Sequence, residues 1–269
     1  MAARSIRILR EVLEKVYKNE ELRKKVVPLF IGNPGMGKTC IIEEFAKEKG
    51  VKLVELITSQ MSPFEISGIA YPDKDSKKME YYNFDKLEEL KDGDILFFDE
   101  LLNGNPVVLN ACLTILEQRR FISGKPLPNI MIVAAANPQG MAPLTPQIKE
   151  RFIWYEVKFS KSMWKKYMTN KYNITPTIYE KLAKLVTEET FTSNNFNTPR
   201  SLDKAVGMAL NDIPSPYEST IDPIINELVK NPFEEEVDLG DGKKLAVGEM
   251  IKWSDIIKLK NKQNEIINK

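Results

Sequence analysis

The chain has 269 residues, 42% of them hydrophobic and 29% charged, the profile of a globular protein with one good core and a smaller satellite domain. It contains no histidine, which removes the usual zinc ligand, the usual general base and any Ser-His or Cys-His pair; a triad-type hydrolase is excluded, and carboxylates, Lys, Arg and bound metal are left to carry chemistry. Its net charge of +1 lacks the bias of obligate nucleic-acid binders, and it has neither an apolar run of membrane-spanning length nor a signal peptide, so a cytoplasmic protein is expected.

Residues 3–24 place Ile6, Leu9, Leu13 and Val16 at helical spacing among charges, which predicts one amphipathic helix packed on the main domain. Residues 27–31 form the first strand. The stretch LFIGNPGMGKTC follows, and it fits G-x-x-x-x-G-K-[ST] with Gly32, Gly37, Lys38 and Thr39 between a strand and a helix, the context in which the motif has mechanical meaning. Glycines at 32, 35 and 37 let backbone N–H groups face inward, and the helix N-terminus adds partial positive charge, so a polyphosphate is the natural occupant. Asn33, Pro34, Gly35, Met36, Gly37, Lys38, Thr39 and Cys40 are the candidate nucleotide contacts. Lys38 would reach the β- and γ-phosphates and Thr39 the bridging Mg²⁺.

A helix over 38–49 ends at Gly50, and residues 51–57 give a second strand, the β-loop-α-β opening of a parallel, helix-covered sheet. Residues 58–91 break the pattern and read as an insertion, with a short hairpin, ahead of a helix at 85–90. DILFFDE at 94–100 is a buried strand ending in two acids at the carboxyl edge of the sheet, where the phosphate loop also lies. Asp99 can therefore hold Mg²⁺, and Glu100 can orient or deprotonate the attacking water. A helix opens at Pro106, a hairpin turns at Ser123-Gly124, and residues 130–136 form another buried strand ended by Asn137, whose amide could hold the water or the γ-phosphate or simply make a turn before Pro138. A short helix at 146–151 and a strand at 152–157 follow. Beyond residue 160 helices are expected at 162–172, 177–190, 199–210 and 217–230, and then a Lys-rich tail after a Gly240-Asp241-Gly242 turn. Arg200 sits in a first helical turn, where positive charge suits an anionic partner better than the helix dipole. Cys40 and Cys112 are expected to be small buried residues.

Taken together, GNPGMGKT, TSQ followed by ISG, ILFFDE, VAAANP, LTPQIKERF and NTPRS, in that order over residues 27–210, resemble the AAA+ ATPases of the MoxR-like type. The resemblance implies an α/β fold, a P-loop AAA+ parallel sheet flanked by helices, with a small helical lid and a short C-terminal tail. It implies domains at 1–158, 159–230 and 231–269, Walker A at 32–39, Walker B at Asp99 and Glu100, sensor 1 at Asn137, an arginine finger at Arg151 and sensor 2 at Arg200. It also implies a helix-2 insert at 60–90 and a pre-sensor hairpin at 121–129, elements that face a central pore or a partner. ATP and Mg²⁺ are the implied cofactors, and a hexameric homo-oligomeric ring acting on a protein substrate or adaptor is the implied assembly. A nucleotide-gated scaffold or a DNA-acting motor are the alternatives, the latter disfavoured by the near-neutral charge. The sequence departs from the pattern after Glu100, where Leu101, Leu102 and Asn103 replace the usual Asn-Arg or Thr-Thr, so the polar switch at the second of these positions is missing.

Overall fold

The structure, a computed structural model, describes residues 3–4, 6–75, 77–141, 146–172, 176–186, 198–211, 213–214, 224, 228–230, 237–240, 243–246, 250–252 and 254–255. The chain divides into two compact units, Met1–Phe159 and Ser160–Lys269.

The first unit opens with a two-residue strand, β1 (Ala3–Arg4), and two helices, α1 (Ile6–Lys18) and α2 (Glu20–Lys25). One continuous helix was the expectation from periodicity. Asn19 breaks it: its backbone is extended and its side chain accepts a hydrogen bond from the Leu22 N–H at 3.1 Å, so it caps a new helix rather than continuing the old one. Leu9, Leu13 and Val16 of α1 are buried, as their spacing requires.

Next come β2 (Pro28–Ile31), α3 (Lys38–Lys49) and β3 (Leu53–Ile57), then a 3-10 turn at Thr58–Gln60 and the short helix α4 (Pro63–Ser67). The expected insertion forms the antiparallel hairpin β4 (Ile69–Pro72) and β5 (Met79–Tyr82), which leads into α5 (Asp85–Glu88). The unit is completed by β6 (Ile95–Asp99), α6 (Pro106–Gln118), β7 (Met131–Ala136), α7 (Pro146–Glu150) and β8 (Ile153–Val157). Between α6 and β7, Phe121 N–H donates to the Lys125 carbonyl and Leu127 N–H to the Arg119 carbonyl, closing the tight turn expected at Gly124. Leu144 and Thr145 of the LTPQIKERF segment lie outside the described residues.

Six parallel strands form one sheet in the order β1-β8-β2-β7-β6-β3. Its central strands β2, β6 and β7 are buried along nearly their whole length, which is why they read as continuous apolar runs rather than alternations. The core cluster joins Leu29, Leu56, Leu96, Phe98 and Ile132 of the sheet to Val108, Cys112 and Ile115 of α6. Asp94 fastens the edge where β6 starts: its carboxylate accepts from the backbone N–H groups of Lys52 at 3.1 Å and Lys91 at 2.9 Å. Cys112 is buried, and burial pushes its thiol up to about 12, whereas Cys40 is exposed and corrects the expectation for that residue: it lies on the outer face of the first turn of α3.

The second unit contains α8 (Lys161–Tyr172), α9 (Pro176–Leu185) and α10 (Pro199–Leu210). Lys171 and Tyr172 of α8 both donate to the Asp203 carboxylate of α10, tying these helices together. Thr198 caps α10, accepting from the Ser201 N–H at 3.1 Å. One expectation fails here. A helix over 217–230 is contradicted at its end by β9 (Leu228–Lys230), and the tail carries β10 (Val237–Gly240), β11 (Lys243–Leu245) and β12 (Met250–Lys252). β9 pairs antiparallel with β12, and β10 with β11. The reason is that β9 and β12 are joined by pairing across some twenty residues of chain, a non-local preference that helical periodicity does not register. Residues 187–190 of the expected second helix, and Asn197 of NTPRS, lie outside the described residues.

Gly32 shows how closely the phosphate loop is seated on the sheet. A Cβ at this position would stand 2.7 Å from the Val157 carbonyl oxygen, a backbone atom that cannot swing aside. Gly32→Ala is expected to destabilise the fold by about 1–3 kcal/mol, read as a lowered midpoint of urea denaturation, whereas Gly124→Ala, where a Cβ meets nothing within 4 Å, should show only the smaller cost of its left-handed backbone.

Candidate functional site

The strand tips of β2, β6 and β7 converge because the strands are parallel and adjacent in the sheet. β2 delivers the loop 32–37, which turns through left-handed glycines at 35 and 37 with φ of 79° and 85°. Those angles are open to glycine at no steric cost, and they curl the loop back over the start of α3. Met36 is buried and Pro34 exposed, so the loop has one side against the protein and one toward solvent.

Lys38, the first residue of α3, is only 7% exposed. Its ammonium donates to the carbonyls of Gly32 at 2.5 Å and Asn33 at 3.1 Å, and to Oδ1 of Asn137 at 3.0 Å. Burying an ammonium demands such a set, since an unmet donor would cost about 1–3 kcal/mol or more. Thr39 donates its hydroxyl to Asp99 Oδ2 at 3.1 Å, and the other oxygen of that carboxylate accepts the Glu100 N–H at 2.8 Å.

Glu100 has a left-handed backbone, φ 55°, uncommon for a residue with a side chain. Its carboxylate accepts from the Ser59 hydroxyl on one oxygen and, at 3.5 Å, from Asn137 Nδ2 on the other. Asn137 therefore stands between Lys38 and Glu100, with its amide oxygen toward the cation and its amide nitrogen toward the anion. Behind it, Asn103 pairs with the Asn137 backbone.

Five of the residues singled out by sequence thus meet in one place: Lys38, Thr39, Asp99, Glu100 and Asn137. Arg151 does not join them; its guanidinium pairs with Glu117, on α6. Arg200 belongs to the second unit and is exposed in the first turn of α10. The residues missed by sequence reading are Ser59 and Asn103. Ser59 lies in the TSQ triplet and could have been flagged by it, whereas Asn103 stood out only as part of the departure after Glu100, and its contact with a strand tip 34 residues away comes from the fold.

The chemistry of the oxygens suits a small hard cation. The Thr39 hydroxyl and the Asp99 carboxylate converge, and the neighbourhood is rich in negative charge: the Glu55 carboxyl on β3 is pushed up by burial first, then by Asp99 and Glu43, with Lys86 opposing.

Residues 28–152 match the family model for the AAA domain (dynein-related subfamily). The match covers a little under half of the chain. Its fold is the P-loop AAA+ arrangement of a parallel sheet flanked by helices. Among solved structures the chain is similar to NtrX from Brucella abortus in complex with ADP, at 16% identity and a TM-score of 0.50, covering 85% of this chain and 55% of that one. A second NtrX structure from the same organism gives 16% identity, a TM-score of 0.49 and coverage of 87% and 57%. A RuvB mutant from Thermotoga maritima gives 14%, 0.44, and coverage of 83% and 90%. The chain thus spans little more than half the length of the NtrX chains it resembles. No curated protein matches the sequence. Among the described residues no helix is long and apolar enough to cross a membrane.

The raised pKa of Glu55 has a definite sign. A carboxyl that holds its proton more tightly in the fold than in the unfolded chain loses stability as pH rises from the ordinary Glu range through the raised value. Glu55→Gln should therefore stabilise the fold at pH 7, and the gain should vanish near about pH 3, where both states are protonated. Urea denaturation at the two pH values checks it; an equal gain at both would assign the effect to packing instead of charge.

Proposed function

We propose that this chain is a Mg²⁺-dependent ATPase, an AAA+ module of the MoxR-like type that assembles as a homo-oligomeric ring and remodels or assembles a protein partner. The single observation that carries the ATPase reading is the bridge made by Asn137 between Lys38 and Glu100. It joins Lys38, Asn137 and Glu100 in one hydrogen-bonded array, which supports reading them as phosphate-binding cation, water-orienting amide and base. The ADP held by the NtrX relative is consistent with a nucleotide in this fold.

In this reading the loop N–H groups and Lys38 receive the β- and γ-phosphates. A charged phosphate oxygen is a stronger acceptor than the carbonyls of Gly32 and Asn33, so the ammonium exchanges those partners for it. Thr39 and Asp99 would hold Mg²⁺, which neutralises charge on the phosphate oxygens. Glu100 takes the proton of the attacking water while Asn137 fixes that water's position. Arg151 supplies a guanidinium to the neighbouring subunit's nucleotide after leaving Glu117, and Arg200 acts from the lid. The proposed domains are a nucleotide-binding domain at 1–158, a lid at 159–230 and a C-terminal extension at 231–269.

A second reading is favoured by one contact. Ser59 occupies an oxygen of Glu100, and a base held in this way fits a nucleotide-gated assembly module with slow, incidental turnover. Measured turnover, and its stimulation by a partner, separates the two.

Lys38→Ala is expected to lose nucleotide affinity, because it removes the cation that meets phosphate, whereas Glu100→Gln should keep affinity and trap ATP. Binding of a fluorescent ATP analogue alongside phosphate release tests both, and parental hydrolysis by Glu100→Gln would refute the assignment of the base.

For Arg151 the expectation is a loss of roughly 10³- to 10⁵-fold in turnover on substitution by Ala, with ATP binding intact, because a trans arginine stabilises charge only in the transition state. Co-assembled Arg151→Ala and Glu100→Gln subunits should regain part of the activity. If mixed assemblies form and stay inactive, the trans role is wrong, and the pair with Glu117 is a surface contact worth under about 1 kcal/mol.

A further inference from the structure

We infer that Asn103 is a positioning residue for hydrolysis, the part that holds Asn137 in register between Lys38 and Glu100; this rests on the ATPase reading above. The position is where the sequence departs from its family resemblance, and the structure gives the departure a use. Leu101 and Leu102 turn into the core, 0% and 1% exposed, so neither side chain can serve the site. Asn103 is the first polar side chain after Glu100 and is only partly buried.

Its amide is fully matched to the tip of β7. Oδ1 accepts from the Asn137 N–H at 2.8 Å, and Nδ2 donates to the carbonyls of Asn137 at 3.0 Å and Gln139 at 2.8 Å. A primary amide has the donor and acceptor arrangement to pair with both backbone groups of one residue, so it substitutes for a further sheet neighbour just where β7 runs out of one.

The same residue is tied to Glu100. The Asn103 N–H donates to the Glu100 carbonyl at 2.8 Å, closing a turn whose first residue is the left-handed Glu100. A closed ring results. It runs from the Glu100 backbone to Asn103, through its amide to the Asn137 backbone, out along the Asn137 side chain and back to the Glu100 carboxylate. The ring sets the distance between the base and the water-orienting amide, and a shift of either strand tip is carried to the other. Asn103 touches neither Lys38 nor the Glu100 carboxylate in this arrangement; it acts through Asn137.

The test uses the full chain with four substitutions: Asn103→Ala, Asn103→Asp, Asn137→Ala and the Asn103→Ala/Asn137→Ala pair. ATPase kinetics and fluorescent-nucleotide affinity are measured on each. Asn103→Ala should lower kcat about 10- to 100-fold, the scale of a misplaced catalytic group, with nucleotide affinity unchanged. Asn103→Asp should be as slow, since it keeps the acceptor but sets a carboxylate against two carbonyl oxygens. The double variant should be no slower than Asn137→Ala alone, because the second change removes what the first was holding. Parental kcat in Asn103→Ala, additive losses in the double variant, or lost nucleotide binding through misfolding each overturn the inference and leave the ATPase reading standing. Absence of turnover in the unsubstituted protein overturns that reading, and this inference with it.

Discussion

Burying the ammonium of Lys38 is the constraint on which the site depends. A cation with 7% exposure needs an acceptor for each of its donors, and the structure finds them in two loop carbonyls and one side-chain oxygen. The loop can offer Gly32 and Asn33 as acceptors only because the left-handed glycines fold it back on itself. The third acceptor, Asn137, has to arrive from β7, which fixes the register of that strand beside β2. The sheet order, the loop conformation and the spacing of the site are thus linked through one charge, and the anions lie a single amide away from it.

The sheet and the centre of the site were legible in the sequence for the same physical reason. Strands buried on both faces leave apolar runs, such as ILFFD and MIVAAA, and each run that ends in a functional group delivers it to the carboxyl edge. Asp99 and Glu100 follow from that argument, Asn137 is one of its two readings, and Lys38 and Thr39 follow from the glycine-rich loop between a strand and a helix. What could not be read depends on contacts between distant residues of small polar type. Ser59 and Asn103 look like ordinary loop residues, and their partners are named only by the fold. The same holds for β1, two residues long, and for β9 and β12, whose pairing needs both segments present at once. Asn19 shows a third kind of miss, in which a cap inside an otherwise regular pattern ends one helix and begins another.

The two units are fastened by different chemistry. In the first, apolar residues of the sheet and α6 interlock around Phe98, Leu96 and Ile115, with polar contacts such as those of Asp94 at the start of β6. In the second, α8 and α10 share a polar knot in which Asp203 receives Lys171, Tyr167 and Tyr172. Tyr172 is pushed up to about 12, by burial first and then by the Asp203 charge, so its hydroxyl stays protonated and keeps donating throughout the physiological range. Such a knot constrains direction more than an apolar contact does, because its bonds require particular angles.

The hairpin of β4 and β5 stands outside both arrangements. Among the described residues it pairs with no third strand, and Ile69, Met79 and Tyr82 are each more than half exposed. Its order comes from its own ladder and from the stack of Tyr71 on Tyr82 at 4.2 Å, with the Tyr71 hydroxyl donating to Glu80. A two-stranded ribbon without a buried face is only marginally stable in water. Opening it exposes little that was hidden, so its amide protons belong to a separate cooperative unit from those of the sheet and exchange with solvent on a faster clock. The domain can therefore lose and regain this ribbon many times within the lifetime of a single folded core.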